Sequence, residues 1–171
     1  LSSGVVGEAR VESASPDEIA QTVNVMGGED WHWWIDKLLA EGLLARGATT
    51  VAYSYIGPEN TWPIYRDGTI GAAKDHLKKT ADELNLLLRE KIAGAAYVSV
   101  NKAVVTQASA AIPVVPLYIS LLFRVMKPKG IHEGTAEQMR RLFFEHLAAN
   151  VTPKLDESGM IRIDDWEMRE D

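Results

Sequence analysis

A tyrosine and a lysine nine positions apart, Tyr65 and Lys74, are the two residues of this sequence best suited to act together in chemistry. A phenol with a pKa of about 10 is a poor acid or base at neutral pH unless a nearby cation favours its ionised form. Beside an ammonium group, it could give a proton to an oxygen on which negative charge develops. Such a pair suits nicotinamide-dependent reductions, although the spacing alone is weak evidence.

The backbone between these residues decides whether they can meet. In an unbroken helix, at about 100° per residue, Tyr65 and Lys74 point in opposite directions. The turn and cap at Asp67-Gly68-Thr69 predict instead that Tyr65 precedes a helix and that Lys74 lies in its second turn. Lys74 falls at the edge of the apolar face, so its aliphatic stem could be buried while its ammonium group reaches water. The residues alone favour this interpretation over a role in a site. The hypothesis fails if the two side chains lie on opposite sides of a sheet.

A strand, a long helix and a second strand are predicted around this pair. Residues 49–56 alternate in polarity, residues 69–90 repeat apolar side chains with a helical period, and residues 95–101 are rich in β-formers. Such a βαβ unit crosses over right-handed to a parallel neighbour, which predicts an α/β fold. Ligands bind outside the carboxyl ends of parallel strands, where Tyr55 and residues 103–106 are expected to join the pair.

Two helices are predicted before the first strand. A capping box formed by Ser15 and Glu18 around Pro16 starts one helix, and Gly27-Gly28 ends it. The next helix follows Asp30. Its apolar residues recur at helical spacing and are expected to form one buried stripe: Trp31, Trp34, Ile35, Leu38 and Leu39.

After the second strand the chain is predicted to be mostly helical. A short helix should follow Thr106, and an apolar helix should cover about residues 117–126. A further helix is predicted to be capped by Thr135 with Gln138. Its apolar residues are Met139, Leu142, Phe143 and Leu147. A short strand is expected at residues 161–163, and because sheets usually have about four to six strands, so few strands imply missing partners.

Composition limits the function classes. The 171 residues, 46% of them hydrophobic, suffice for one globular domain, with an irregular arm at residues 1–14. A net charge of −6 with intermixed signs offers no basic face for nucleic acid. The sequence has no cysteine, which excludes disulfides and thiol nucleophiles and fits a reducing, cytoplasmic compartment. The chain opens at Leu1 without a signal peptide, so a missing beginning is expected.

Other special sites are not indicated by the sequence. The longest apolar stretch, residues 110–123, contains two prolines and is shorter than the roughly 20 residues of a membrane span. The four histidines lack the spacing of metal ligands, and no glycine-rich dinucleotide fingerprint occurs. By default Tyr55 is an aromatic residue on a half-buried strand, and Thr106 is a helix N-cap, a role that can coexist with ligand binding.

Six segments resemble the monomeric bacterial trans-2-enoyl-CoA and enoyl-acyl-carrier-protein reductases, in that family's order. They are VMGGEDW (25–31), AYSYIGPE (52–59), IYRDGTIGAAK (64–74), VVTQASAAIPVVPLYIS (104–120), HEGTAEQMRRLF (132–143) and IRIDDWE (161–167). The resemblance implies a Rossmann-like fold of the short-chain-dehydrogenase type, with residues 15–171 as its catalytic and substrate-binding part. The family's glycine-rich N-terminal half is not among these residues, so the chain looks like a middle-to-C-terminal segment.

The resemblance also implies an activity. A cytoplasmic, monomeric oxidoreductase of fatty acid synthesis would use NADH to reduce the C2=C3 double bond of an enoyl-CoA or enoyl-acyl-carrier-protein. Without the fingerprint, adenosine and pyrophosphate binding are in doubt for this chain alone. Alternatives are a non-catalytic acyl-thioester binding module, an inactive fragment of the reductase, and a helical interaction domain with both tyrosines in its core.

The family's motif can be carried onto individual residues. Its tyrosine, eight residues, lysine motif falls on Tyr65, as proton donor to an enolate, and on Lys74, which would bind the cofactor ribose and lower the pKa of the tyrosine. Its second, substrate-binding tyrosine falls on Tyr55. The loop that contacts the nicotinamide falls on Ala103, Val104 and Val105, and Thr106 begins the segment lining the acyl pocket. The apolar stretch from Ala110 to Phe123 could form a wall of that pocket.

Overall fold

The computed structural model of the protein describes residues 7–8, 10, 12–112 and 114–169. The expected arm at residues 1–14 lies largely outside the described residues. The helices and strands of the described part are, in order, α1 Pro16–Met26, α2 Glu29–Ala40, β1 Thr49–Ser54, α3 Trp62–Tyr65, α4 Thr69–Ile92, β2 Ala95–Val100, α5 Gln107–Ala111, α6 Val115–Met126, α7 Thr135–Glu145 and β3 Ile161–Arg162. A turn of 3₁₀ helix at Glu59–Thr61 leads into α3. None of these helices is long and apolar enough to cross a membrane.

The strands form a parallel sheet in the order β1-β2-β3. Ser54 at the end of β1 lies opposite Val100 at the end of β2. β3 joins the other edge of β2, with Ile161 opposite Ser99. The predicted α/β class with parallel strands is therefore confirmed. Because β1 and β2 end at the same edge, the segments that follow them lie side by side.

Helix α4 covers one face of the sheet and follows the predicted apolar period. Its buried apolar residues recur at helical spacing: Ala73, Ala81, Leu84 and Leu88. Leu84 and Leu88 form a core cluster with Ile35 of α2 and Ala96 of β2. The helix ends at Ile92, two residues beyond the predicted range, and its C-cap Ala93 adopts the left-handed conformation with φ 53°.

The corner between α1 and α2 lies close against α4. A Cβ atom on Gly28 would collide with the side chain of Thr80. The N–H of Gly28 donates a hydrogen bond to Nδ1 of His76 at 3.0 Å. The predicted glycine stop is therefore confirmed, and close packing explains why glycine is needed there. The predicted capping box of α1 is also confirmed, with the N–H of Glu18 donating to Oγ of Ser15 at 3.3 Å.

The prediction of one buried stripe in α2 is wrong at Trp34. Trp34 of α2 is 58% exposed and its ring packs edge-on against Trp33, with centroids 5.3 Å apart. In α2 only Ile35 is fully buried. Exposed apolar side chains also occur in α7, where Phe143 is 55% exposed. Periodicity identifies the apolar face of a helix, but the neighbouring elements decide how much of that face is buried.

The predicted cap of α7 is also wrong. Gly134 is the N-cap, and Thr135 is the first helical residue. The side chain of Gln138 instead points inward: its Oε1 accepts from the N–H of Lys102 at 2.8 Å, and its Nε2 donates to the carbonyl oxygen of Lys102 at 3.4 Å. Buried backbone groups need partners, and here Gln138 supplies them to Lys102 rather than to its own helix.

Arg141 of α7 ties the C-terminal segment to the rest of the fold. Its guanidinium donates to both carboxylate oxygens of Glu133, to Asp165 at 2.7 Å and to the carbonyl oxygen of Ile163 at 2.5 Å. It also lies over the ring of Trp166, 4.6 Å from the centroid. Arg141 and Glu133 are only 7% and 5% exposed, so their ion pair is buried.

Removing this arginine should destabilise the fold. In Arg141→Met the buried carboxylate of Glu133 loses its partner, and breaking a buried ion pair costs about 3–5 kcal/mol. Chemical denaturation measures the loss. Arg140→Met, at the exposed neighbour in α7, is the matched control and should change the free energy of unfolding by no more than about 0.5 kcal/mol. Equal effects of the two substitutions would contradict the anchoring role of Arg141.

Candidate active site

A cavity of about 210 Å³ lies at the carboxyl ends of β1 and β2. Its lining includes Tyr55, Tyr65, Ala103, Thr106 and Val115. These residues come from the segments that follow the two strands and from α3 and α6. The structure thus brings together, at the sheet edge where ligands of such folds bind, residues that lie far apart in the sequence.

Two tyrosine rings meet in this cavity. Tyr55 follows β1, Tyr65 ends α3, and their ring centroids are 4.8 Å apart with planes at 87°, a favourable edge-to-face contact. Gly57 makes the close approach possible. It has a left-handed φ of 71°, and a Cβ atom there would lie 2.6 Å from the hydroxyl oxygen of Tyr55.

Lys74 reaches both tyrosine segments from the second turn of α4. Its Nζ donates to the carbonyl oxygen of Tyr65 at 3.0 Å and to the carbonyl oxygen of Tyr55. The Nζ atom lies 4.8 Å from the centroid of the Tyr65 ring and 5.8 Å from that of Tyr55. The tyrosine and the lysine therefore lie on the same side of the sheet. Burial lowers the pKa of Lys74 to about 8.

The pKa of Tyr65 differs from the sequence-based expectation. Lys74 was expected to lower it, but burial raises it, and the negative charge of Glu167 adds to the rise. The physical reason is that the ammonium of Lys74 is hydrogen-bonded to backbone carbonyl groups and not to the hydroxyl of Tyr65. The phenol of Tyr65 is therefore protonated at neutral pH in this structure.

The hydroxyl groups of the two tyrosines have different partners. The hydroxyl of Tyr55 donates to Oε1 of Glu167 at 2.9 Å. The hydroxyl of Tyr65, by contrast, has no hydrogen-bond partner among the residues that the structure describes. Burial raises the pKa of Tyr55, and the charge of Glu167 raises it further. Of the two phenols, Tyr65 is thus the one whose proton is free for a ligand.

The backbone after β2 is held by side chains on several sides. The N–H of Ala103 donates to Oε2 of Glu167 at 2.7 Å, and the carbonyl oxygen of Ala103 accepts from Nζ of Lys102 at 2.7 Å. Lys102 is only 2% exposed, and its Nζ lies 4.7 Å from the centroid of the Phe123 ring. Burial lowers the pKa of Lys102. Together with the contacts of Gln138, these bonds fix the start of the segment at residues 103–105.

The other predicted site residues have varied surroundings. Val104 lines the cavity, whereas Val105 is 63% exposed and does not. Thr106 is the N-cap of α5, as predicted: its Oγ1 accepts from the N–H of Ser109 at 3.0 Å, and it also lines the cavity. The buried side chains of Val115 and Ile119 in α6 form part of the apolar wall of the cavity. Both lie within the stretch from Ala110 to Phe123 that was predicted to form such a wall.

Comparison with known proteins identifies the family. The family described as the trans-2-enoyl-CoA reductase catalytic region matches residues 1–148. The chain belongs to this family.

Relatives are similar along nearly the whole chain. It is 60% identical to the enoyl-acyl-carrier-protein reductase (NADH) of Flavobacterium johnsoniae over 98% of the chain and 42% of that protein. It is 59% identical to the trans-2-enoyl-CoA reductase (NADH) of Brachyspira hyodysenteriae over 96% of the chain and 42% of that protein. The structure of Clostridium acetobutulicum trans-2-enoyl-CoA reductase in complex with NAD has a TM-score of 0.90 and 50% identity, and covers 93% of this chain and 41% of that chain. The chain thus spans about two fifths of the length of these relatives.

The structure adds two residues to those taken from the family motif. Glu167 and Tyr118 meet through a hydrogen bond of 2.6 Å from the tyrosine hydroxyl to Oε1 of the glutamate. Burial raises the pKa of Tyr118, as does its bond to Glu167. Both residues lie within segments that resemble the family, at 104–120 and 161–167, but no local pattern distinguishes either of them from ordinary helix or surface residues.

The lowered pKa of Lys74 predicts a change of stability with pH. Between the pKa of about 8 in the folded chain and the ordinary value of 10.5, the unfolded chain binds more protons than the folded one. The free energy of unfolding of the wild type should therefore rise relative to that of Lys74→Met as the pH increases through this interval. Urea denaturation across the interval measures the difference. Lys79→Met, at an exposed position of α4, is the matched control: it keeps Lys74, so its profile should run parallel to that of the wild type. A Lys74→Met profile that also runs parallel to the wild type would contradict the burial of the ammonium.

Proposed function

We propose that the protein is an NADH-dependent reductase of trans-2-enoyl thioesters, which converts enoyl-CoA or enoyl-acyl-carrier-protein into the saturated acyl thioester. The observation that carries the proposal is the hydroxyl of Tyr65, which has no hydrogen-bond partner in the described part of the chain and lies at an apolar cavity beside Lys74. The names of the similar reductases from Flavobacterium johnsoniae and Brachyspira hyodysenteriae supply the substrate class and the cofactor.

Tyr65 acts as the proton donor in the proposed reaction. NADH, when bound, supplies the hydride that is added to C3 of the enoyl group. Negative charge then develops on the thioester oxygen, and the hydroxyl of Tyr65 donates to the resulting enolate. The raised pKa of Tyr65 keeps this proton in place at neutral pH. Tyr55, the proposed substrate-binding residue, lies against the Tyr65 ring and so fixes its orientation.

Lys74 has one hydrogen-bond donor left for the cofactor. An ammonium group has three N–H bonds, and in Lys74 two of them point to the carbonyl oxygens of Tyr55 and Tyr65. The third has no acceptor among the residues that the structure describes, and it is available to a ribose hydroxyl, the role proposed for this residue. Only the protonated amine has all three N–H bonds. With a pKa of about 8, Lys74 loses this proton at alkaline pH in the absence of ligand, so the contact with the ribose should weaken there.

The cavity fits the reacting groups and not the whole cofactor. Its volume of about 210 Å³ is below the roughly 300–1,000 Å³ of most ligand sites, so it has room for the nicotinamide end and the thioester region only. We propose that Ala103, Val104 and Val105 contact the nicotinamide and that Thr106 begins the acyl pocket. The buried side chains of Val115 and Ile119 exclude water, which strengthens the hydrogen bond from Tyr65 to a developing charge.

The proposal includes a monomeric, cytoplasmic protein, with residues 15–171 as the catalytic and substrate-binding part of its domain. The absence of cysteine supports a reducing compartment. Light scattering of the purified protein measures the mass, and a stable dimer would contradict the monomeric state.

Loss of the Tyr65 hydroxyl should abolish most of the turnover. In full-length protein, NADH oxidation driven by crotonyl-CoA should fall at least about 100-fold in Tyr65→Phe, because general acid catalysis typically contributes 10²–10⁴-fold. The matched control is Tyr53→Phe. Tyr53 lies on β1 two residues before Tyr55 and is 53% exposed, so this change should leave the rate within about twofold of wild type.

The possible outcomes separate the alternatives. Turnover retained in Tyr65→Phe would refute the donor role. If the wild type binds crotonyl-CoA without oxidising NADH, the protein is an acyl-thioester binding module. If neither NADH nor an acyl thioester raises the melting temperature, both tyrosines are structural and the helical interaction domain gains support.

A further inference from the structure

We propose that Glu167 is a positioning residue of the candidate site. It holds the hydroxyl of Tyr55 and the backbone of Ala103 in one geometry and, by accepting the Tyr55 proton in a hydrogen bond, leaves Tyr65 as the donor. This inference rests on the proposed reductase function. It gives Glu167, in the C-terminal segment, a role in the reaction that neither the sequence pattern nor the family motif indicates.

One carboxylate joins three separate parts of the fold. Oε1 of Glu167 accepts from the hydroxyl of Tyr55 at 2.9 Å and from the hydroxyl of Tyr118 at 2.6 Å, and Oε2 accepts from the N–H of Ala103 at 2.7 Å. These donors follow β1, lie in α6 and follow β2. Because hydrogen bonds constrain distance and direction, the carboxylate fixes the substrate side and the cofactor side of the cavity relative to each other.

Only an acceptor group can make all of these contacts. An ionised carboxylate has two accepting oxygens and no donor, whereas the amide of glutamine has one accepting oxygen and an NH₂ group that can only donate. With glutamine at position 167, either Ala103 or the two tyrosine hydroxyls must lose their acceptor. Glu167→Gln therefore changes the polarity of the contacts while keeping the size of the side chain.

The bond to Glu167 also decides which tyrosine can give up a proton. A hydroxyl carries one hydrogen, and that of Tyr55 is directed at Oε1 of Glu167. Toward the cavity Tyr55 therefore offers lone pairs, while the hydroxyl of Tyr65 has no partner among the residues that the structure describes. The two phenols, in edge-to-face contact, thus have separate roles that depend on the position of Glu167.

Glu167 is itself presented by a fixed segment of the chain. The N–H groups of Ile163 and Asp164 donate to the carbonyl oxygen of Val100, at the end of β2, at 2.8 and 3.1 Å. The N–H of Glu167 donates to the carbonyl oxygen of Asp164 at 2.9 Å. Arg141 holds the carbonyl oxygen of Ile163 as well. The carboxylate is therefore anchored to the strand end that forms the cavity.

Steady-state kinetics of Glu167→Gln in full-length protein test the proposal. We expect kcat with crotonyl-CoA to fall about 10–100-fold, because a displacement of about 1 Å at a reacting group can cost 10²-fold. The KM for NADH should also rise where the amide nitrogen of the glutamine faces Ala103, because the N–H of Ala103 then loses its acceptor. Glu157→Gln, an exposed carboxylate of the same C-terminal segment, is the matched control and should leave kcat and KM unchanged.

A double-mutant cycle distinguishes positioning from general stabilisation. If Glu167 acts through Tyr55, then Glu167→Gln should lower kcat much less in a Tyr55→Phe background than in wild type. If Glu167 only stabilises the fold, the two losses multiply, and the proposal is overturned. Thermal melts of each variant check that the proteins compared are folded.

The remaining outcomes are also decisive. An active wild type with an unaltered Glu167→Gln variant overturns the positioning role alone, whereas an inactive wild type overturns the proposed function and this inference with it. If the glutamine variant does not fold, Glu167→Asp serves instead. It keeps the charge but is one methylene shorter and cannot maintain all of the contacts, so we expect a smaller loss of kcat; an unchanged kcat overturns the proposal.

Discussion

The candidate site depends on the burial of one ammonium group. Removing an ammonium from water is costly unless its N–H bonds find acceptors, and Lys74 finds them in the carbonyl groups of Tyr55 and Tyr65. These bonds tie the end of β1 and the end of α3 to the second turn of α4. The edge-to-face contact of the two rings follows from the position of their backbones. The pKa of Lys74, lowered to about 8 by burial, indicates that the carbonyl groups compensate only in part for the lost water.

The opposite wall of the cavity depends on α7 and the segment after it. Gln138 holds the backbone of Lys102, and Arg141 holds the segment that leads to Glu167. Glu167 in turn holds Ala103, so the cavity wall after β2 is bonded to residues much later in the chain. In a shielded environment such a polar network stabilises one arrangement because each lost bond leaves a buried polar group unpaired. The two walls are thus positioned by different helices, α4 and α7.

The sequence predicts the parts of this arrangement that depend on local patterns. Alternation predicted β1, β-forming residues predicted β2, the apolar period predicted α4, and the caps at Ser15 and Thr106 are found where predicted. The meeting of Tyr65 and Lys74 followed from a turn between them, and the end of the first strand placed Tyr55 beside them. The resemblance to the reductase family added a substrate-binding role for Tyr55. Local patterns fail where tertiary contacts decide. The Thr135 and Gln138 spacing imitates a cap, but Gln138 has a stronger reason to pair with Lys102.

Long-range contacts of single polar residues are the part that no pattern could show. Glu167 lies 112 positions from Tyr55 in the sequence, in a segment rich in acidic residues. Acidic side chains are usually exposed to water, so the sequence gives no reason to expect a partner for this one. The pattern of apolar and polar residues around Glu167 does not reveal its role, because its carboxylate is held by three partners on other elements. The same limit explains Trp34, which belongs to an apolar stripe although no described element covers it.

The chemistry of the tyrosine and lysine pair also changes once the partners are known. Spacing suggested that the cation of Lys74 acts on the hydroxyl of Tyr65 by lowering its pKa, but the two residues meet through a backbone carbonyl group and the pKa is raised. For the proposed reduction this is the useful direction, because an enolate needs a donor that is still protonated when the charge appears. In the proposed reaction, Lys74 positions the two tyrosines and donates a hydrogen bond to the cofactor. Glu167, whose charge raises the pKa of both tyrosines, keeps them neutral while its bond to Tyr55 distinguishes between them.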